Sequence, residues 1–176
     1  MTGLQQMNVS FDPAEDRLLW RLTSQAEQGL CEFRLWMTRR MVRLLWGGLD
    51  QLLSQDPEKI LRVEPAARQV VRQFEEQAAL EKADFKTPFQ AQDAALPLGE
   101  TPLLVSQIKL NHAADGNKIM VLHDKNNQGI TLTLSPTMVH SLRKLLVESA
   151  QKAQWDLHLE VADPKSAFIP ADLPMQ

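Results

Sequence analysis

A chain of 176 residues with 44% hydrophobic and 23% charged side chains has apolar mass for one core and is neither disordered nor coiled-coil in composition. Its net charge of −3 arises in residues 56–102, while the segments on either side are balanced, so the electrostatic footprint of a duplex-DNA binder is absent. The lone cysteine, Cys31, excludes an internal disulfide, and with neither a signal-peptide pattern over residues 1–10 nor an apolar run near the ~18 residues of a membrane span, a cytoplasmic protein without a membrane partner is expected.

Three strands open the chain. Val9-Ser10-Phe11, Arg17-Leu18-Leu19-Trp20 and Phe33-Arg34-Leu35-Trp36-Met37-Thr38 fit strands, the last alternating with the period of a half-buried strand. Asp12-Pro13-Ala14-Glu15-Asp16 reads as the first turn and Gly29 marks the second. The alternation assigns Leu18, Trp20, Leu22, Cys31, Phe33, Leu35 and Met37 to an inner face. It assigns Arg17, Leu19, Arg21, Glu32, Arg34 and Trp36 to an outer one. At Thr38 the period changes, because Met41, Val42, Leu45 and Leu49 recur at helix spacing and Thr38 stands where an N-cap belongs. Gly47-Gly48 inside this helix costs about 1 kcal/mol per glycine relative to alanine, which predicts close approach by another backbone or a kink.

The middle differs. Asp56-Pro57 closes the first unit, and Pro65 opens a helix with Ala67, Val70, Val71, Phe74 and Ala78 on one face. Arg68, Arg72, Glu75 and Glu76 lie on its other face. Residues 84–102, with Pro88, Pro97 and Pro102, read as a long ordered loop or tether.

The strand pattern then returns in Ile108-Lys109-Leu110, Lys118-Ile119-Met120-Val121 and Ile130-Thr131-Leu132-Thr133-Leu134-Ser135. A helix bearing Met138, Val139, Leu142 and Leu146 follows, with Ser135 as its cap and Pro136 at its first position. Read as a two-residue turn, Asp115-Gly116 sets His112 opposite Ile119 and His123 opposite Ile108. Lys118, Met120, Leu122, Thr131 and Thr133 would then form the outer face. A last strand is expected over residues 156–161, then a tail whose Phe168, Ile169 and Leu173 suggest docking on a surface. The expected fold is a single α+β domain, an internal duplication of a β-β-β-α unit with antiparallel sheets. Its parts are repeat one at about 7–55, a helix and loop at 56–102, repeat two at 103–161 and a tail at 162–176.

Arg17, Arg21, Arg34 and Trp36 on one sheet face, near Arg39, Arg40 and Arg43, are the basic and aromatic cluster of the sequence. Such a face holds single nucleic-acid strands by stacking bases on aromatics while arginines follow the phosphates. The competing reading pairs Arg34 with Glu32 or cross-strand neighbours and packs Trp36 under the middle helix. Leu19, Trp36, Met120 and Leu122 are too apolar for a plainly solvated face, so the middle helix, the tail, a second subunit or a stacked base is expected to cover them. The four histidines lack metal-ligand spacing and read as surface or boundary residues. With no nucleophile elbow, phosphate loop or dinucleotide fingerprint, neither catalytic residue, metal ligand nor cofactor is assigned.

Two strand-rich sheets each followed by a helix, over about residues 7–161, resemble the Whirly family of single-stranded-DNA-binding regulators and the related coactivator fold built from two chains. That resemblance implies a pseudo-twofold and strand binding, although Whirly-type units have four strands before each helix and this sequence offers three. Phe33-Arg34-Leu35-Trp36-Met37-Thr38-Arg39-Arg40 is also similar to a signature of a bacterial family of unknown function, which implies no activity. The expected function is a non-catalytic interaction module, a homo-oligomer binding a protein partner or a single nucleic-acid strand. An enzyme whose site lacks any signature is the competing class.

Overall fold

The computed structural model describes residues 3–55, 64 and 67–159. They form an α+β architecture in which both halves run strand-strand-strand-helix. The first half comprises β1 (Gly3–Asp12), β2 (Arg17–Ala26), β3 (Gly29–Met37) and α1 (Arg39–Ser54). Helix α2 (Arg68–Lys82) and the short β4 (Leu103–Leu104) intervene. The second half comprises β5 (Gln107–His112), β6 (Lys118–His123), β7 (Gly129–Leu134) and α3 (Pro136–Lys152). One sheet has the order β1-β2-β3-β4 and the other β5-β6-β7. Pairing is antiparallel throughout except for β4, which lies parallel to β3.

Both helix starts are fixed by side-chain oxygens. Thr38 Oγ1 accepts from the Met41 N–H at 3.3 Å and Ser135 Oγ from the Met138 N–H at 3.2 Å, each in extended backbone geometry. Each helix then reaches across to the other half, α3 against β1 and α1 against β5. One buried cluster therefore joins Trp20, Leu35, Leu45 and Leu49 to Met120, Leu134, Leu142 and Leu146. Ser149 on α3 fastens the exchange by donating its hydroxyl to the Val9 carbonyl at 2.9 Å, wholly inside. Of the expected matched helix positions, Met41, Leu45 and Leu142 are buried, whereas Met138 is half-buried.

The inner face of the first sheet follows the alternation. Leu18, Trp20, Leu22, Leu35 and Met37 are fully buried, with Cys31 and Phe33 half-buried at the far end. The second sheet corrects the expectation. Asp115-Gly116 belongs to a three-residue loop, closed by the Ala113 N–H donating to the Asn117 carbonyl at 2.9 Å, with Gly116 at φ 83°. His112 consequently faces Lys118, and His123 faces Gln107. One residue of slip reverses every side chain of β6, so Lys118, Met120 and Leu122 are inner and buried while Ile119 and Val121 face outward with Thr131 and Thr133.

Three further expectations change. Residues 156–159 form no strand, and 160–161 and the tail lie outside the described residues. The expected loop does follow α2, but its later part runs along the free edge of β3. Ala95 exchanges backbone bonds with Leu30 and Glu32, and Val105 N–H donates to the Trp36 carbonyl. Glycine 48 accommodates a side chain and not a backbone. A Cβ there would stand 2.6 Å from Leu110 Cδ1, whereas one on Gly47 would meet nothing within 4 Å.

Candidate interaction surfaces

The seven residues expected to form one cluster divide between two layers. Strand register places Asn8, Arg21 and Arg34 in one row across the outer face and Ser10, Leu19 and Trp36 in the next. Arg21 is committed twice. Its Nε donates to the buried Glu32 carboxylate, and the Phe89 ring lies 4.5 Å from its guanidinium carbon. Phe89 belongs to the loop after α2, which covers the Thr23 and Glu32 end of this face and buries both residues. Arg34 has no ion-pair partner among the described residues, and Trp36 beside it is half-buried. Arg17, at the sheet end, pairs with Glu15 at 3.1 Å. Arg39, Arg40 and Arg43 ride on the exposed side of α1, and Arg39 stacks over Trp155 at 5.5 Å. Among the described residues the loop, and not the middle helix, lies over this face, and Leu19 and Trp36 are half-buried.

A cleft of about 350 Å³ opens between β1, the start of that loop and the first turns of α3, lined by Leu4, Met7, Phe85, Phe89, Met138 and Leu145 among others. Among its lining residues Asp84 is the only ionisable one. The Thr87 hydroxyl, with the backbone N–H groups of Thr87 and Lys86, holds the Asp84 carboxyl below its ordinary range and fixes the loop. This geometry suits a structural turn.

Helix α2 departs most from the sequence pattern. It packs on α3 with its charged side inward: Glu76 is 5% exposed, and Arg143 and His140 on α3 are 3% and 2% exposed. Glu76 Oε1 lies 3.5 Å from Arg143 Nε and 3.7 Å from His140 Nδ1. Asp50 on α1 extends the network, 3.4 Å from Arg143 and 3.0 Å from Arg72. The Trp46 ring covers the Arg143 guanidinium at 4.2 Å. Burial pushes the Arg143 guanidinium below its ordinary value, opposed by the Glu76 and Asp50 charges. A buried cation on α3 requires anions around it, and that requirement selects which side of α2 faces in. Sequence reasoning missed His140 and Arg143 as interior residues. The signal was present in the alternative face of α2, where Arg72 and Glu76 recur at i and i+4.

The consequence is an apolar stripe in solvent. Phe74 is 69% exposed and Val70 51%, with Ala78 exposed a turn further on. Among the described residues no helix is long and apolar enough to cross a membrane, and no group of three or more His, Cys, Asp or Glu stands where a metal ion could be held.

No family model, curated protein or solved structure matches this chain.

Proposed function

We propose that this chain is a non-catalytic interaction module of the cytoplasm whose contact surface is the outward stripe of α2. The observation that carries the reading is the inversion of that helix. A phenylalanine in water on a helix that buries a glutamate, Glu76, forgoes about 2 kcal/mol of burial, so the arrangement is best understood with a partner in place. The rest of the molecule works as the mount: the charged latch of Glu76, Arg143, Asp50 and Arg72 fixes the helix, and the shared core fixes α1 and α3 beneath it. A nucleic-acid partner fits less well. Arg34 beside Trp36 provides about one phosphate contact, a salt slope near −0.7, too shallow to gather a polyanion onto an acidic protein.

Photo-crosslinking in living cells tests this. Phe74 replaced by benzoylphenylalanine should give a defined adduct on irradiation, and the same probe at the exposed Lys152 on α3 should not. Equal labelling at both positions, or none at Phe74, removes the proposal.

A further inference from the structure

We infer that α2 is a strap that opens as a unit about a hinge at Ala83 while both sheets and the other two helices stay folded. The inference concerns how the helix is held, so it does not depend on what meets its outward stripe.

Helices α1 and α3 are built into the core, and α2 is laid over it. Helix α1 buries six apolar residues, Met41 and Leu45 among them, and α3 buries Val139, Leu142, Leu146 and Ala150. Ala79 is the only buried apolar residue of α2, with Val71 and Leu80 half-buried. Among the described residues the shared apolar cluster takes no member from α2. The start of the helix is also bare. Ala67 stands at its cap position in helical geometry and offers no side-chain acceptor, whereas Thr38 and Ser135 serve the other two helices. A free helix needs about 12–15 residues to be even marginally stable in water, and this one has 15, so its order derives from docking.

That docking is largely electrostatic. Glu76 Oε1 lies 3.5 Å from Arg143 Nε and 3.7 Å from His140 Nδ1, and Arg72 donates to Asp50 at 3.0 Å and to the Ser54 hydroxyl at 2.9 Å. Ion pairs taken out of water return little net stability, because the hydration each charge gives up is comparable with the attraction it gains. Opening restores that hydration to Glu76, Arg143 and His140 together. A helix lifted from an apolar seat would gain nothing of the kind. The lowest-cost excursion of this fold is therefore the lifting of α2.

The chain beyond the helix sets the hinge. Ala83 leaves the helix in extended geometry, and the Asp84 carboxylate accepts from the Lys86 and Thr87 N–H groups. From there the loop is tied down, by Lys144 over the Phe85 ring at 4.2 Å and by the Gln90 N–H donating to Gln6 Oε1 at 2.9 Å. Motion on this side stops at Ala83. Closed, the strap hides Arg143 and His140. Open, it leaves them in solvent beside Trp46, a cationic and aromatic recess that the closed protein does not present.

Residue-resolved native-state hydrogen exchange of the full chain tests it. Amides from Arg72 to Leu80 should share one opening and exchange about a hundredfold faster than those of Leu45, Leu142 and Leu146. The urea dependence of that opening should be under about half of the core's, since little surface is exposed. Glu76→Ala should speed exchange across α2 by about tenfold or more, because the contact is present only when the strap is closed. Ile130→Val, a mild core change in β7, should speed the core amides by about two- to tenfold and leave α2 unchanged, because the open form keeps that core. Exchange of α2 at the rate and urea slope of the core overturns the strap, as does α2 following the core in Ile130→Val. A gradient from fast ends to a slow centre is fraying and overturns opening as a unit. No change across α2 in Glu76→Ala overturns the latch that defines the closed form.

Discussion

Glu76 is a carboxylate facing a guanidinium inside a protein, and the loss of one partner from such a pair is far more costly than the loss of both. Truncation by Glu76→Ala leaves Arg143 buried beside the half-exposed Asp50, which is expected to cost about 3 kcal/mol. Glu76→Leu combined with Arg143→Met, which removes both charges, should recover most of that loss. Urea unfolding midpoints at constant slope measure both effects. A loss under about 0.5 kcal/mol for Glu76→Ala would contradict the buried latch. Glycines show the same dependence on surroundings. Gly29 opens β3 at φ 120°, a conformation side chains rarely adopt, whereas the matching Gly129 is required for space, since a Cβ there would meet the Leu122 carbonyl at 1.9 Å. Only the three-dimensional neighbours separate these two reasons.

At the scale of elements, the long strands were readable and the short ones were not. β2 and β3 carry ten and nine residues of alternation, enough to fix which side is inner, and every apolar residue assigned inside is buried or half-buried. β5 and β6 have six residues each, and their faces depend on the turn between them. A loop of Ala114-Asp115-Gly116 instead of Asp115-Gly116 changes the register by one, which is why Met120 and Leu122 belong to the core. Helix α1 gives a direct test of the glycine pair. Gly47→Ala adds a methyl to open solvent and should stabilise by about 0.5–1 kcal/mol through helix propensity. At Gly48 the new methyl must displace Leu110 Cδ1, so most of that gain should be lost. Thermal melts of the two variants should place Gly47→Ala above Gly48→Ala; the reverse order would contradict the packing of α1 on β5.

For the molecule as a whole, the exchange of helices between halves determines what remains outside. Each sheet covers its inner face with the shared core, the loop after α2 covers one end of the outer face, and α2 itself is held by charges contributed from α1 and α3. The α+β class, the caps at Thr38 and Ser135 and the inner face of the first sheet are legible in local periodicity. The orientation of α2 is not, because it depends on Asp50 and Arg143, distant in sequence and unremarkable alone. For the same reason the arginine cluster read from the chain was split: Arg39, Arg40 and Arg43 are near Trp36 in sequence, yet the strand-to-helix turn carries them into the helix layer.

Neighbouring alanines on α2 allow that orientation to be measured with little disturbance. Ala78 is exposed and Ala79 is 7% exposed, and exchange of either for cysteine adds a single sulfur. In a Cys31→Ser background at about 1 µM protein, thiol labelling rates report which side of the helix meets solvent. Ala78→Cys should react near the rate of a free thiol and Ala79→Cys at least a hundredfold more slowly. Slow labelling at position 78 with fast labelling at 79 would show the apolar stripe turned inward and contradict the account.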